Sequence, residues 1–207
     1  AYKDESHRFS LKSFKALGGA YAVANLLIKK IKEQGIEAKS SDLIAGTYSE
    51  ITSKITVCCA TDGNHGRSVA WGAQKFGCNC EIYIHRTVSV AREEAIAKYG
   101  AIVNRINGNY DESVHIAAEV SESNGYYVVS DTSYEGYTDI PKDVMQGYTV
   151  MVDEAMKQMG EVPTHVFLQG GVGGFPAAVV SYLVESLECP PIFIVVEPTN
   201  ADCLFQS

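Results

Sequence analysis

The sequence predicts an α/β protein whose parallel sheets are covered by helices on both faces. Three observations carry that expectation. Short apolar runs at 55–60, 80–85, 101–106, 126–129, 164–168 and 192–196 alternate with stretches of helical periodicity, and strands that alternate with helices pair in parallel. A glycine loop, Gly170-Gly171-Val172-Gly173-Gly174, joins a strand to a helix. Asp62, Asn64, Asp131 and that loop all fall just past predicted strands, and open α/β sheets gather ligands beyond the carboxyl ends of their strands.

In chain order, residues 1–12 are polar and read as extended. Phe14, Leu17, Tyr21, Ala24 and Ile28 then recur at three- and four-residue steps, an apolar helical stripe for which Ser13 is a suitable N-cap. Lys15 falls in the first turn of that helix. Taken alone it reads as a solvated lysine, although a helix start is unfavourable for a cation because the macrodipole is positive there. Residues 32–53 read as a loop-rich connection. Further helices are expected at 64–76, 90–99, 111–123, 141–159 and 176–187. Pro141 takes the first turn of its helix, where a missing N–H costs nothing. No repeat or low-complexity tract is present.

The net charge of −8 over 207 residues argues against a nucleic-acid surface, which needs a basic patch. No apolar run approaches the length that crosses a bilayer, and no signal peptide is visible. The six cysteines form no two-pair CxxC pattern, so no metal centre is expected. Cys58 and Cys59 lie in an apolar run and read as small hydrophobes. All six read as reduced, which points to a cytoplasmic protein. The chain does not begin with methionine and stops soon after a strand and a turn, so it reads as a piece of a longer protein.

The glycine loop is the strongest local signal. Strand, four glycines in five residues, then helix lets backbone N–H groups approach an anion, with the helix N-terminus adding favourable potential. It is not a P-loop, because the Gly-Lys-Ser/Thr ending is absent. A phosphate monoester, a dinucleotide with Glu197 holding a ribose hydroxyl, and a bare tight turn are the readings that remain. Against the dinucleotide stands Pro176, where a third glycine or alanine belongs. The turn Ala60-Thr61-Asp62-Gly63-Asn64-His65-Gly66 also joins strand to helix and could bind a carboxylate by the same physics. Asp62 is awkward beside an anion, so it either caps the helix or transfers protons. His65 reads as a hydrogen-bonded structural histidine and Asp131 as a turn aspartate.

Ser13-Phe14-Lys15, Asp62-Gly63-Asn64-His65-Gly66 and the glycine loop occur in the order and rough spacing of the fold type II pyridoxal-phosphate-dependent enzymes. These are the relatives of the tryptophan synthase β subunit and threonine dehydratase. Within that group the chain most resembles the diaminopropionate ammonia-lyases. Lys3-Asp4-Glu5-Ser6, Arg8-Phe9, Arg67, Glu135-Gly136-Tyr137, Met145-Gln146-Gly147-Tyr148, Glu197-Pro198 and Ala201-Asp202-Cys203 add to the likeness, and Asp62 replaces the serine of most dehydratases.

The resemblance implies two αβα domains, the second incomplete. Residues 1–50 would carry the Schiff-base lysine helix at the domain interface, 51–135 the smaller domain, and 136–207 the first part of the larger one. It implies pyridoxal 5'-phosphate as cofactor and α,β-elimination of ammonia from D- and L-2,3-diaminopropionate. Lys15, Asp62 and Asp131 would be catalytic: Lys15 on one face of the cofactor, Asp62 on the other, Asp131 assisting with the D isomer. Asn64 would meet the ring hydroxyl, and Gly170, Gly171, Val172, Gly173 and Gly174 the phosphate. Thr61, Asp62, Gly63, Asn64 and His65 would hold the substrate carboxylate. Relatives pair as homodimers, and residues 1–207 alone are expected to turn over weakly or not at all. The alternatives are a serine/threonine-type dehydratase of the same fold and a non-enzymatic nucleotide- or effector-binding module.

Overall fold

The computed structural model describes residues 1–207. Six strands form two sheets, and every pairing is parallel. β1 (Thr56–Ala60), β2 (Asn79–His85), β3 (Ile102–Ile106) and β4 (Tyr127–Val128) pair in the order β3-β2-β1-β4, while β5 (His165–Gln169) pairs with β6 (Ile192–Val196). The connecting helices are α1 (Lys15–Lys32), α2 (Ser40–Ile44), α3 (Ser49–Thr52), α4 (Asn64–Phe76), α5 (Val90–Ala97), α6 (Tyr110–Asn124), α7 (Asp139–Met159), α8 (Gly174–Ser186) and α9 (Cys203–Gln206).

Successive strand residues point to opposite faces, and the larger sheet is buried on both. Val57, Cys59, Ile82 and Ile84 pack with Val23 and Leu27 of α1, Val69 of α4 and Ile96 of α5. Their neighbours Cys58 and Tyr83 pack with Ala117 of α6 on the other side. Three layers result, as the apolar strand runs require. The smaller sheet packs Leu168 against Val152 of α7 and Val179 and Leu183 of α8, and its other face leaves Phe167, Ile192 and Val196 exposed.

Helix α1 is buried nearly all round, including Ala16, Leu17, Ala22, Val23, Leu27 and Ile31, rather than along one stripe; Tyr21 alone of the expected stripe is exposed. The cause is a pair of close helix contacts made possible by glycine. A Cβ on Gly72 of α4 would lie 2.8 Å from Ala20 Cα, and one on Gly147 of α7 would lie 2.3 Å from Leu17 O. Backbones this close leave α1 no freedom to slide, which fixes the height of Lys15 at its amino end.

Residues 1–12 are not extended. Lys3 and Arg8 both reach Glu154 of α7, Arg8 also pairs with Glu5, and Phe9 stacks on Trp71 at 5.1 Å. Charge pairing folds the segment back, and Phe9, Ser10 and Lys12 adopt positive φ of 47°, 60° and 55° to allow it. The 32–53 connection contains α2 and α3, the first opened by the Asp42 carboxylate accepting from the Lys39 N–H. Ser13 lies one position before the N-cap, yet its Oγ accepts from the Lys15 N–H at 3.2 Å. The expected strand at 126–129 shortens to β4: Val129 N–H still donates to Cys58 O at 2.8 Å, but its carbonyl is taken by His65 Nε2 at 2.7 Å, while the Tyr137 hydroxyl donates to Val128 O and accepts from Ser130 N, each at 2.9 Å.

Candidate active site

The carboxyl edge of the larger sheet presents a row of polar residues. Tyr110 follows β3, His85 ends β2, Asp62 follows β1 and Asp131 follows β4. Onto this edge α1 delivers Lys15. Its Nζ is 2.5 Å from Asp131 Oδ2, with the lysine side chain 23% exposed and the aspartate 14%. His65, in the first turn of α4, is buried; its Nε2 lies 2.7 Å from Val129 O. A carbonyl only accepts, so Nε2 carries a proton. Nδ1 is left facing Asp131 Oδ2 at 3.8 Å.

Asp131 feels two opposed influences. Burial, the largest, raises its pKa. The charges of His65 and Lys15, the Lys15 hydrogen bond and its own backbone N–H together outweigh burial and bring it down to about 2. It is therefore an ionised partner for the lysine at neutral pH. Tyr110 is pushed up to about 12, by burial first and then by the negative charge of Asp131, with Asp62 adding to it. Burial pushes the thiols of Cys58 and Cys78 up to about 12, so neither is a nucleophile at neutral pH.

The glycine loop reaches the same place. A Cβ on Gly174 would lie 3.4 Å from Asp131 O, and Phe175 packs against Phe14, the neighbour of Lys15, with ring centroids 4.6 Å apart. Gly170 is committed to the sheet through its N–H to Val196 O at 2.8 Å, whereas the N–H groups of Gly171, Val172, Gly173 and Gly174 have no partner within the protein. Gly173, with φ of 86°, turns the loop into α8, and a Cβ on Gly171 would meet open space.

In the turn before α4, the Thr61 hydroxyl accepts from Gly63 N at 3.0 Å and Gly66 N at 3.1 Å, so it braces the turn. The N–H groups of Asn64 and His65 have no partner within the protein. Asn64 is exposed at the first position of α4. Asp62 points along the sheet edge away from the lysine, its Oδ1 2.7 Å from His85 Nε2.

Around the Lys15–Asp131 pair three buried polar atoms lack hydrogen-bond partners: His65 Nδ1, Thr132 Oγ1 and Tyr148 OH. Buried polar atoms are normally paired, so orphans clustered beside an amine and free N–H groups mark a site built for a polar ligand. The donor set fits a phosphate-bearing aldehyde: an amine for the carbonyl carbon, N–H groups for the phosphate. His85, Tyr110 and Thr132 are not among the residues the motifs point to, and Tyr148 appears only within Met145-Gln146-Gly147-Tyr148, with no role at the site assigned to it. The strand-end rule that marks Asp62 and Asp131 applies equally to His85 and Tyr110; for Tyr148, nothing local shows that its hydroxyl faces the site.

Comparison with known proteins agrees. The family model described as "Pyridoxal-phosphate dependent enzyme" matches residues 1–207. The chain is 44% identical to diaminopropionate ammonia-lyase of Escherichia coli K12, over 99% of this chain and 52% of that protein. Two crystal structures of the Escherichia coli enzyme superpose closely. The complex with D-serine gives a TM-score of 0.90 at 43% identity, covering 99% of this chain and 53% of that one. The complex with an aminoacrylate–PLP azomethine reaction intermediate gives 0.85 at 43% identity, with 99% and 52% covered. The chain thus spans about half the length of these relatives, and no helix in it is long and apolar enough to cross a membrane. With a family model matched from the first residue to the last, on a fold shared with these structures, the chain belongs to the pyridoxal-phosphate-dependent enzyme family.

Proposed function

We propose that this chain carries the reacting residues of a lyase that eliminates ammonia from 2,3-diaminopropionate, as D and L isomers, giving pyruvate and ammonia. The observation that carries this reading is the Lys15 ammonium held at 2.5 Å by Asp131, which the glycine loop meets through Gly174 and the α4 turn through His65, both segments carrying partner-free N–H groups. The identity of 44% to diaminopropionate ammonia-lyase supports this substrate. The Escherichia coli structure in complex with D-serine supports a site open to D amino acids.

Pyridoxal phosphate, when bound, supplies an electron sink conjugated to the substrate α-carbon, without which α-proton removal is prohibitively slow. The protein residues bind, orient and move protons around it. Lys15 attaches the cofactor at rest and, once freed by the substrate amine, exchanges the α-proton on one face. Asp62 serves the opposite face, which the D isomer presents. Asp131 holds the Lys15 ammonium and assists with the D isomer. The N–H groups of Val172, Gly173 and Gly174 hold the phosphate with the positive end of α8 behind them, and Asn64 meets the ring hydroxyl. The N–H groups of Asn64 and His65, braced by Thr61, orient the substrate carboxylate. The β-amino group leaves as ammonia, and the released enamine hydrolyses to pyruvate and a second ammonia.

We also propose the division into 1–50, 51–135 and 136–207, with α1 as the interface element, on the ground that α1 packs against both α4 and α7. A cytoplasmic homodimer completes the reading, on the likeness to a family whose members pair. The test is pyruvate release from the full-length protein with D- and L-diaminopropionate, L-serine and L-threonine. The diaminopropionates should be favoured in kcat/KM by about a hundredfold or more; preference for serine or threonine would point to a dehydratase. Lys15→Ala should leave no cofactor covalently retained after borohydride, and light scattering tests the dimer.

A further inference from the structure

Asp62 does not stand alone at the sheet edge. Its Oδ1 lies 2.7 Å from Nε2 of His85, the last residue of β2, and His85 Nδ1 lies 2.9 Å from Thr87 Oγ1. The two side chains differ in exposure: Asp62 is 61% exposed and His85 only 17%. The histidine is therefore the buried member of the pair and the aspartate the exposed one. Asp62 Oδ2 has no partner in the protein.

The tautomer follows from the partners. An ionised carboxylate only accepts hydrogen bonds, so His85 Nε2 must donate to it. Nδ1 then accepts from the Thr87 hydroxyl when the ring is neutral, or donates to the same oxygen when the ring is charged. A hydroxyl can do both without moving, so Thr87 accompanies the ring through a change of protonation. The backbone beneath is fixed independently: Arg105 donates to the carbonyls of His85, Arg86 and Val88 at 3.4, 3.0 and 2.7 Å and pairs with Glu93. Arg92 of α5 donates to the Asp62 carbonyl at 3.3 Å.

From this geometry we propose that His85, backed by Thr87, is the positioning residue for Asp62. It clamps Oδ1 in the sheet edge and leaves Oδ2 as the only oxygen free to exchange a proton with the substrate. This rests on the reading of Asp62 as the proton-transfer group for the D isomer. The Nε2–H···Oδ1 bond holds the carboxylate plane in one orientation while Oδ2 gives up or takes a proton.

The test uses the full-length holoenzyme with His85→Ala, His85→Gln, Asp62→Asn and the double variant Asp62→Asn/His85→Ala, assayed on D- and L-diaminopropionate. His85→Ala should lower kcat for the D isomer roughly tenfold to a hundredfold, the range typical of a supporting group, with KM little changed and a much smaller fall for the L isomer. His85→Gln, which keeps an N–H donor, should recover most of the lost kcat. In the Asp62→Asn background His85→Ala should add almost nothing, because residues acting as one unit are non-additive. Cofactor absorbance and Tm serve as fold controls. If Asp62→Asn sharply lowers D-isomer turnover, leaving a measurable remainder, while His85→Ala is silent, strikes both isomers equally or adds its full effect in the double variant, the positioning role is overturned and the Asp62 reading survives. If Asp62→Asn leaves D-isomer turnover intact, both are overturned.

Discussion

The Lys15 ammonium and the Asp131 carboxylate, 116 positions apart in the chain, meet at 2.5 Å. One is carried by the amino end of a helix and the other by the loop past a two-residue strand. Neither position is explained by local structure, since the first turn of a helix repels a cation and burial opposes an ionised carboxylate. Together they satisfy each other.

That pairing makes folding stability depend on acid. The folded carboxyl of Asp131 titrates at about 2, below the ordinary aspartate value near 4, so the folded state binds the proton less readily than the unfolded chain. The stabilisation is fully present above pH ~4 and is lost as pH falls through about 2. Its size is about 2 kcal/mol, shared with Lys15 and His65. Urea unfolding of the cofactor-free protein between pH 2 and 6 should show a steeper acid loss in the native sequence than in Asp131→Asn. Identical slopes would mean that the pair contributes nothing.

Gly147→Ala tests whether the α1–α7 contact sets the lysine. The added methyl would lie 2.3 Å from Leu17 O and 2.9 Å from Gly18 Cα, both backbone, so the helices must part. Overpacking of this kind costs about 1–3 kcal/mol, a Tm loss of roughly 2–12 °C for a chain of this size. Because Leu17 is two residues from Lys15, kcat should fall as well. A variant with unaltered Tm and kcat would show that the contact has slack.

At the glycine loop, Gly173→Ala places a side chain at φ of 86°, where a Cβ is disfavoured by about 1 kcal/mol, and within 3.0 Å of Leu204 Cδ2. Affinity for pyridoxal phosphate should fall about fivefold while that for pyridoxal, which lacks the phosphate, changes little. Equal losses for both would place the phosphate elsewhere. Fluorescence titration of the cofactor-free protein measures the ratio.

Periodicity in the sequence locates the strands, the parallel pairing and the bounds of α4, because Gly63 and Gly77 flank a clean helical run. Elsewhere the determinants are non-local. The N-terminal segment reads as extended because its partner, Glu154, is far along the chain. Gly18, Gly72 and Gly147 show their purpose only once the close neighbours they admit are seen. The site divides the same way. Lys15, Asp62 and Asp131 are marked by motif or by strand-end placement, and His85 and Tyr110 obey the placement rule without a motif. Tyr148 lies mid-helix, where only packing reveals that its hydroxyl is orphaned.

Tyr148→Phe isolates that hydroxyl. The ring is held by its edge against Phe14 at 5.1 Å, and Lys15 Nζ lies 5.7 Å from its centroid. Burial pushes the hydroxyl pKa well up, with Asp131 adding to it, so the group remains a neutral O–H donor with no acceptor in the protein. Removing a buried, unpaired hydroxyl while keeping the ring releases a desolvation penalty of about 1 kcal/mol or more, so the cofactor-free Tm should hold or rise. The gain in Tm on saturation with pyridoxal phosphate should shrink by roughly 2–4 °C, equivalent to about 1 kcal/mol, because the hydroxyl finds its acceptor only in the loaded site. Calorimetry with and without cofactor separates the two effects. A lower cofactor-free Tm would mean that the hydroxyl already has a protein partner, and an unchanged gain would mean that it never meets the bound group.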